Sequence, residues 1–155
     1  MLDQVEKVFD DKKKMLSKVN KNTYPVRVDA FIETHGHFIQ EMFDYMDESE
    51  NAHRAAKELS DCFAEKVYQA NLSGRKKKMD GGVQTDLSMF MIYYVFPAIL
   101  KTEDENAVLL ADTLCRSWNA QFKGASITYT DYDYIYGGFQ DNIFSGFLSG
   151  LKNLR

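Results

Sequence analysis

The sequence predicts an all-α fold: one domain of about six helices around a central apolar helix at residues 85–100. Three observations point there. Apolar residues recur at three- and four-residue steps along most of the chain, the spacing that lines one helix face. Between those stripes stand turn and capping signals such as Asn20-Lys21-Asn22-Thr23 and Thr102-Glu103-Asp104-Glu105. The one β-prone stretch, Ile127-Thr128-Tyr129, has no partner strand.

The first helix spans about 2–20, with Leu2, Val5, Val8, Phe9, Leu16 and Val19 on one stripe and Lys12, Lys13 and Lys14 facing outward. The second, about 25–47, starts at Pro25, which suits a first helical turn. Val28, Phe31, Ile32, His35, Phe38, Ile39, Met42, Phe43 and Met46 form its stripe, which runs through Gly36. A Gly there weakens a helix by about 1 kcal/mol against Ala and favours a kink. The third, about 50–72 with Ser49 as cap, carries the narrow stripe Ala52, Ala55, Ala56, Leu59, Phe63, Val67 and Ala70. Small residues of that kind permit close helix approach.

Residues 73–84 read as the chain's linker, a basic, glycine-rich loop between the charged helices 1–72 and the aromatic-rich helices 85–155. The fourth helix, about 85–100 with Thr85 or Asp86 as cap, meets Pro97, which removes a hydrogen bond and crowds the preceding turn. Its apolar run, Leu87 to Leu100, has 14 residues, short of the ~20 that span a bilayer. In the fifth, Thr102 and Glu105 form a capping box ahead of Ala107, Leu110, Ala111, Leu114, Trp118 and Phe122, with Gly124 as the stop. The sixth runs from Thr130 to about 152, and Gly146 and Gly150 bare one of its stripes.

Composition excludes several classes. The chain has 155 residues, 45% of them apolar and 27% charged, which is ordinary for a folded soluble domain and wrong for disorder. Residues 1–78 are neutral overall, with 14 basic and 14 acidic side chains. Residues 79–155 carry the whole net charge of −4 and 13 of the 21 aromatics. An acidic chain lacks the basic face that nucleic-acid binding needs. Two cysteines without a Cys-x-x-Cys spacing, and a charged N-terminus without an apolar signal core, indicate a reducing cytoplasm.

No motif names a chemistry. Gly-x-Ser-x-Gly, Gly-x-Gly-x-x-Gly and Walker sequences are absent. Asp29, Glu33, His37 and Glu41 stand four apart, a spacing that suits ion ligation, but on the face opposite the apolar stripe they read as a solvated row. No metal, cofactor or catalytic residue is predicted.

Two places deserve a ligand-binding reading. In loop 73–86, Arg75, Lys76, Lys77 and Lys78 supply charge, while Gly81, Gly82 and a helix N-terminus supply backbone donors for an anion. Beyond it, Tyr94, Trp118 and Tyr132 suggest a small pocket, with Asp86, Asp112, Arg116 and Asp131 as polar partners and Gln84 and Tyr129 beside them. Asp112 and Arg116, four apart, suit an ion pair.

Val83-Gln84-x-Asp86-Leu87, the run Phe90 to Leu100, Leu110-Ala111-Asp112, Trp118 and Tyr129-Thr130-Asp131-Tyr132 resemble an uncharacterised family of small helical proteins from anaerobic Gram-positive bacteria of the clostridial type. The resemblance covers roughly residues 74–140. It implies a bacterial cytoplasmic protein and brings no activity, cofactor or site residue. The leading expectation is a non-enzymatic helical protein that acts through a protein partner or as a homodimer, since helix four is apolar nearly all round. The alternative is a binding protein or small enzyme for an anionic small molecule, held between loop 75–86 and the Tyr/Asp/Arg cluster.

Overall fold

A computed structural model describes residues 2, 5–18, 24–123 and 127–128. The sixth predicted helix lies outside them, as do Tyr129, Asp131 and Tyr132. The described residues form an all-α bundle without a β-strand. Its elements are α1 (Val5–Val8), α2 (Lys12–Ser17), α3 (Tyr24–His35), α4 (His37–Glu48), α5 (Ala52–Ala70), α6 (Gly81–Phe90), a π-helical turn (Met91–Val95), α7 (Phe96–Lys101) and α8 (Ala107–Gln121).

The first predicted helix breaks into two. The stripe is buried as expected at Leu2, Val5, Val8, Phe9 and Leu16. Phe9 sits at the break, its ring 4.9 Å from Phe90 and 6.1 Å from Phe63. Turning the chain there lets α1 lie on α5 while α2 lies on α6. A straight helix would have carried the second half of the stripe away from α6.

The second predicted helix breaks at Gly36. Its amide donates to the Ile32 carbonyl at 2.7 Å, and a Cβ at position 36 would overlap that same carbonyl oxygen. Only glycine permits this approach. The break turns α3 toward the π-helical turn and α7, and α4 toward α5. Asp29, Glu33 and His37 are exposed, and Asp29 pairs with Lys101 from α7. The described residues contain no cluster of three or more potential metal ligands.

Helices α5 and α8 make the most extensive contact in the bundle. Small buried residues on both, Ala55, Ala56, Ser60 and Ala64 against Ala107, Ala111, Cys115 and Ser117, let the backbones approach. The cap of α5 is Asn51, not Ser49: the Asn51 side chain accepts from the Arg54 amide at 3.1 Å. The linker is a tight turn. Ser73 and Lys78 exchange both backbone hydrogen bonds at 3.1 Å, with Gly74 at φ +78°.

The central helix starts four residues earlier than predicted, at Gly81. Asp80, not Thr85 or Asp86, is its cap, and its carboxylate accepts from the Gly82 and Val83 amides at 2.8 and 3.2 Å. Helical structure then continues unbroken for 21 residues, Gly81–Lys101, long and apolar enough to cross a bilayer by those two measures. Burial accounts for the apolarity: every residue from Phe90 to Ile99 is enclosed by the bundle itself. The chain therefore covers this segment without a second copy, and the segment gives no reason to expect a dimer.

Pro97 does not end the helix. It lacks an N–H for the Tyr93 carbonyl, so the preceding turn widens, and the Phe96 amide reaches back five residues to Met91 O. Thr102–Glu105 is not the capping box of α8. Its Oγ1 donates to Ile99 O at 2.7 Å and closes α7, and Glu103 sits at φ +59°. α8 therefore begins only at Ala107.

Candidate functional site

Among the described residues, those expected to converge do not do so. Arg75 and Lys76 stand exposed on the tight turn. Of the loop amides proposed for an anion, that of Gly82, together with its neighbour Val83, already serves the Asp80 carboxylate. Arg116 lies on the surface, where it pairs with Asp112 at 3.2 Å as predicted. Trp118 is fully buried. Its indole N–H donates to Ser88 Oγ at 2.9 Å, and its ring stacks on Phe122 with centroids 3.9 Å apart. That arrangement is a closed core, not the wall of a pocket. Asp86 is buried with Oδ1 unpartnered, and Gln84 is half-buried beside it in sequence.

Tyr94 is the exception. It is buried as predicted; of the partners expected for its hydroxyl, Asp131 lies outside the described residues. The hydroxyl donates to Met15 O on α2 at 2.7 Å. That bond places Tyr94 in the wall of a different cavity, a half-open cleft of about 220 Å³ between α2, α3 and the π-helical turn.

Two helical rows build the cleft. Arg27, Phe31 and His35 recur every fourth residue on α3, so they share one face. Asp11, Met15 and Lys18, at steps of four and three, share a face across α2 and its caps, with Lys14 beside them. Met15, Ala30, Phe31 and Tyr94 supply the apolar part, and the Phe31 ring lies 5.6 Å from both His35 and Tyr94. The widened turn matters here, since an extra residue in a helical turn rotates everything after it and so sets where Tyr94 points.

The charge of the cleft is one-sided. Lys14, Lys18 and Arg27 face a single carboxylate, Asp11. His35 is held below the usual histidine range, first by burial and then by the neighbouring His37, with Asp11 pulling weakly the other way. It is therefore neutral at pH 7, with one ring nitrogen as donor and the other as acceptor. The Arg27 Nε–H is buried and has no acceptor among the described residues. A buried donor without a partner costs about 1–3 kcal/mol, so such groups are uncommon in native folds.

Sequence reading identified Phe31, His35 and Tyr94 as inward-facing and missed Lys14, Lys18 and Arg27. A signal for Arg27 was present: a charged residue standing in register with Phe31 and His35 on an otherwise buried row. For Lys14 there was none, because it is indistinguishable in sequence from Lys12 and Lys13. Comparison with protein-family models, with curated proteins and with solved structures returns no match to this chain.

Proposed function

We propose that this protein binds a small organic anion in the cleft between α2 and α3. The observation that carries the reading is the buried Nε–H of Arg27, without an acceptor among the described residues, in a cleft whose opposite wall holds Lys14, Lys18 and one carboxylate, Asp11. An anion supplies the missing acceptor, and charge-assisted hydrogen bonds to guanidinium are among the stronger polar contacts. Met15, Phe31 and Tyr94 give an apolar body somewhere to lie, the usual composition of a ligand site. A reducing cytoplasmic setting suits a chain with two cysteines and no Cys-x-x-Cys spacing.

Thermal unfolding in the presence of benzoate and phenyl phosphate tests the reading. A ligand at about one hundred times its Kd adds about 2.7 kcal/mol to stability. The midpoint should rise with at least one of the two probes, and the rise should vanish in Arg27→Gln. An unchanged midpoint with both probes would overturn the proposal.

A further inference from the structure

We propose that the cleft is selective for a dianionic head group, a phosphomonoester on a small apolar or aromatic body. This rests on the anion-binding reading above and goes further by naming the class of ligand.

Charge matching is the first argument. Lys14, Lys18 and Arg27 set against Asp11 leave two positive charges uncompensated while His35 is neutral. A single carboxylate removes one of them. A phosphomonoester carries about −1.5 to −2 at pH 7 and removes both.

Donor geometry is the second. The donors arrive from two helices, Arg27 from α3 and the two lysines from α2 and its C-cap. A carboxylate presents its two oxygens in one plane. A phosphate presents three acceptor oxygens around a tetrahedral centre, so it meets a guanidinium on one wall and ammonium groups on the other.

Size is the third. A volume of about 220 Å³ is below the usual range for drug-sized ligands, about 300–1,000 Å³. It holds the equivalent of about seven waters at ~30 Å³ each. That leaves room for a phosphate and one ring or a short chain against Phe31 and Met15, and none for a dinucleotide.

The test is calorimetric titration of the full chain with benzoate, phenyl phosphate and phthalate at low ionic strength. Phenyl phosphate should bind about tenfold tighter than benzoate or more. Phthalate, a dianion without tetrahedral oxygens, should fall between them. In the double variant Lys14→Ala/Lys18→Ala, whose changes are on exposed side chains, the preference for phenyl phosphate over benzoate should collapse while the thermal midpoint without ligand stays put. Equal or tighter binding of benzoate would overturn the dianion inference and leave the anion site standing. Phthalate matching phenyl phosphate would overturn the phosphate assignment. Binding of none of the three would remove the site altogether, and this inference with it.

Discussion

His35 couples the cleft to pH. Burial beside Phe31, with His37 two residues on, disfavours its protonated form in the folded protein, so its folded-state pKa lies below the ordinary histidine value of 6.5. In the unfolded chain it takes up a proton near 6.5; in the folded chain it resists until lower pH. The unfolded state therefore binds more protons in that window. The histidine's contribution to stability is present above 6.5 and is lost as pH falls toward and through the lowered folded value. Thermal midpoints measured between about pH 8 and pH 5 should fall on acidification, and His35→Gln should flatten that slope. A slope unchanged by the substitution would place its origin elsewhere. Asp61 illustrates the opposite balance. Burial alone pushes its carboxyl up, but hydrogen bonds from Lys57 and from Ser117 at 2.7 Å, with the Lys57 charge, hold it below the usual range. Half of that side chain is in water, so solvent screening keeps its energetic weight small.

At the scale of elements, the two breaks and the widened turn do the positioning. Gly36 separates α3 from α4, and without that break the Arg27–Phe31–His35 row and the Phe38–Met42 row could not serve different neighbours. Alanine in place of an ordinary helical glycine stabilises by about 1 kcal/mol. At position 36 the sign should reverse, because a Cβ would collide with the Ile32 backbone carbonyl, which has no side-chain freedom to yield. Gly36→Ala should lose about 1–3 kcal/mol, measured by urea unfolding. A stabilised variant would mean that the chain passes from α3 to α4 as one regular helix. Asp80 makes a similar point about helix starts. Its carboxylate reaches two amides because the turn Ser73–Lys78 delivers the chain to α6 in an extended conformation, with Asp80 at ψ 137°.

For the whole molecule, one contact ties the N-terminal segment to the centre. The Tyr94 hydroxyl and the Met15 carbonyl are 79 residues apart in sequence, and their hydrogen bond holds α2 against the π-helical turn. α2 forms one wall of the cleft, so this bond also keeps the cleft shaped. Tyr94→Phe should cost about 1 kcal/mol. Its signature is local: hydrogen exchange should speed up at the amides of α2 and stay unchanged in α5 and α8, which are packed on each other over their length. Faster exchange throughout the bundle would mean that α2 is not an independent unit. A second long-range anchor lies at the other end. The Asn119 side chain receives the Ile127 amide at 2.9 Å and donates to its carbonyl at 2.7 Å, pinning both backbone groups of that residue to α8 as a neighbouring strand would. That accounts for a β-prone residue with no strand to pair with.

The sequence by itself determined the helical class and which side of each helix is buried. Val5, Val8, Phe31, Phe38, Met42, Phe63, Leu87 and Trp118 all lie inside as their spacing requires, and Asp112 finds Arg116. These are local properties, set by a period of 3.6 residues that any window of the chain displays. Only the tertiary structure decided where helices break, which residue caps α5 and α6, and which side chains line the cleft. The breaks at Phe9 and Gly36 answer to neighbours far along the chain. The cleft joins residues 11–18, 27–35 and 94, and no local pattern encodes their meeting. Its defining feature, an arginine donor without an acceptor among the described residues, is a property of the surrounding packing and not of any window of sequence.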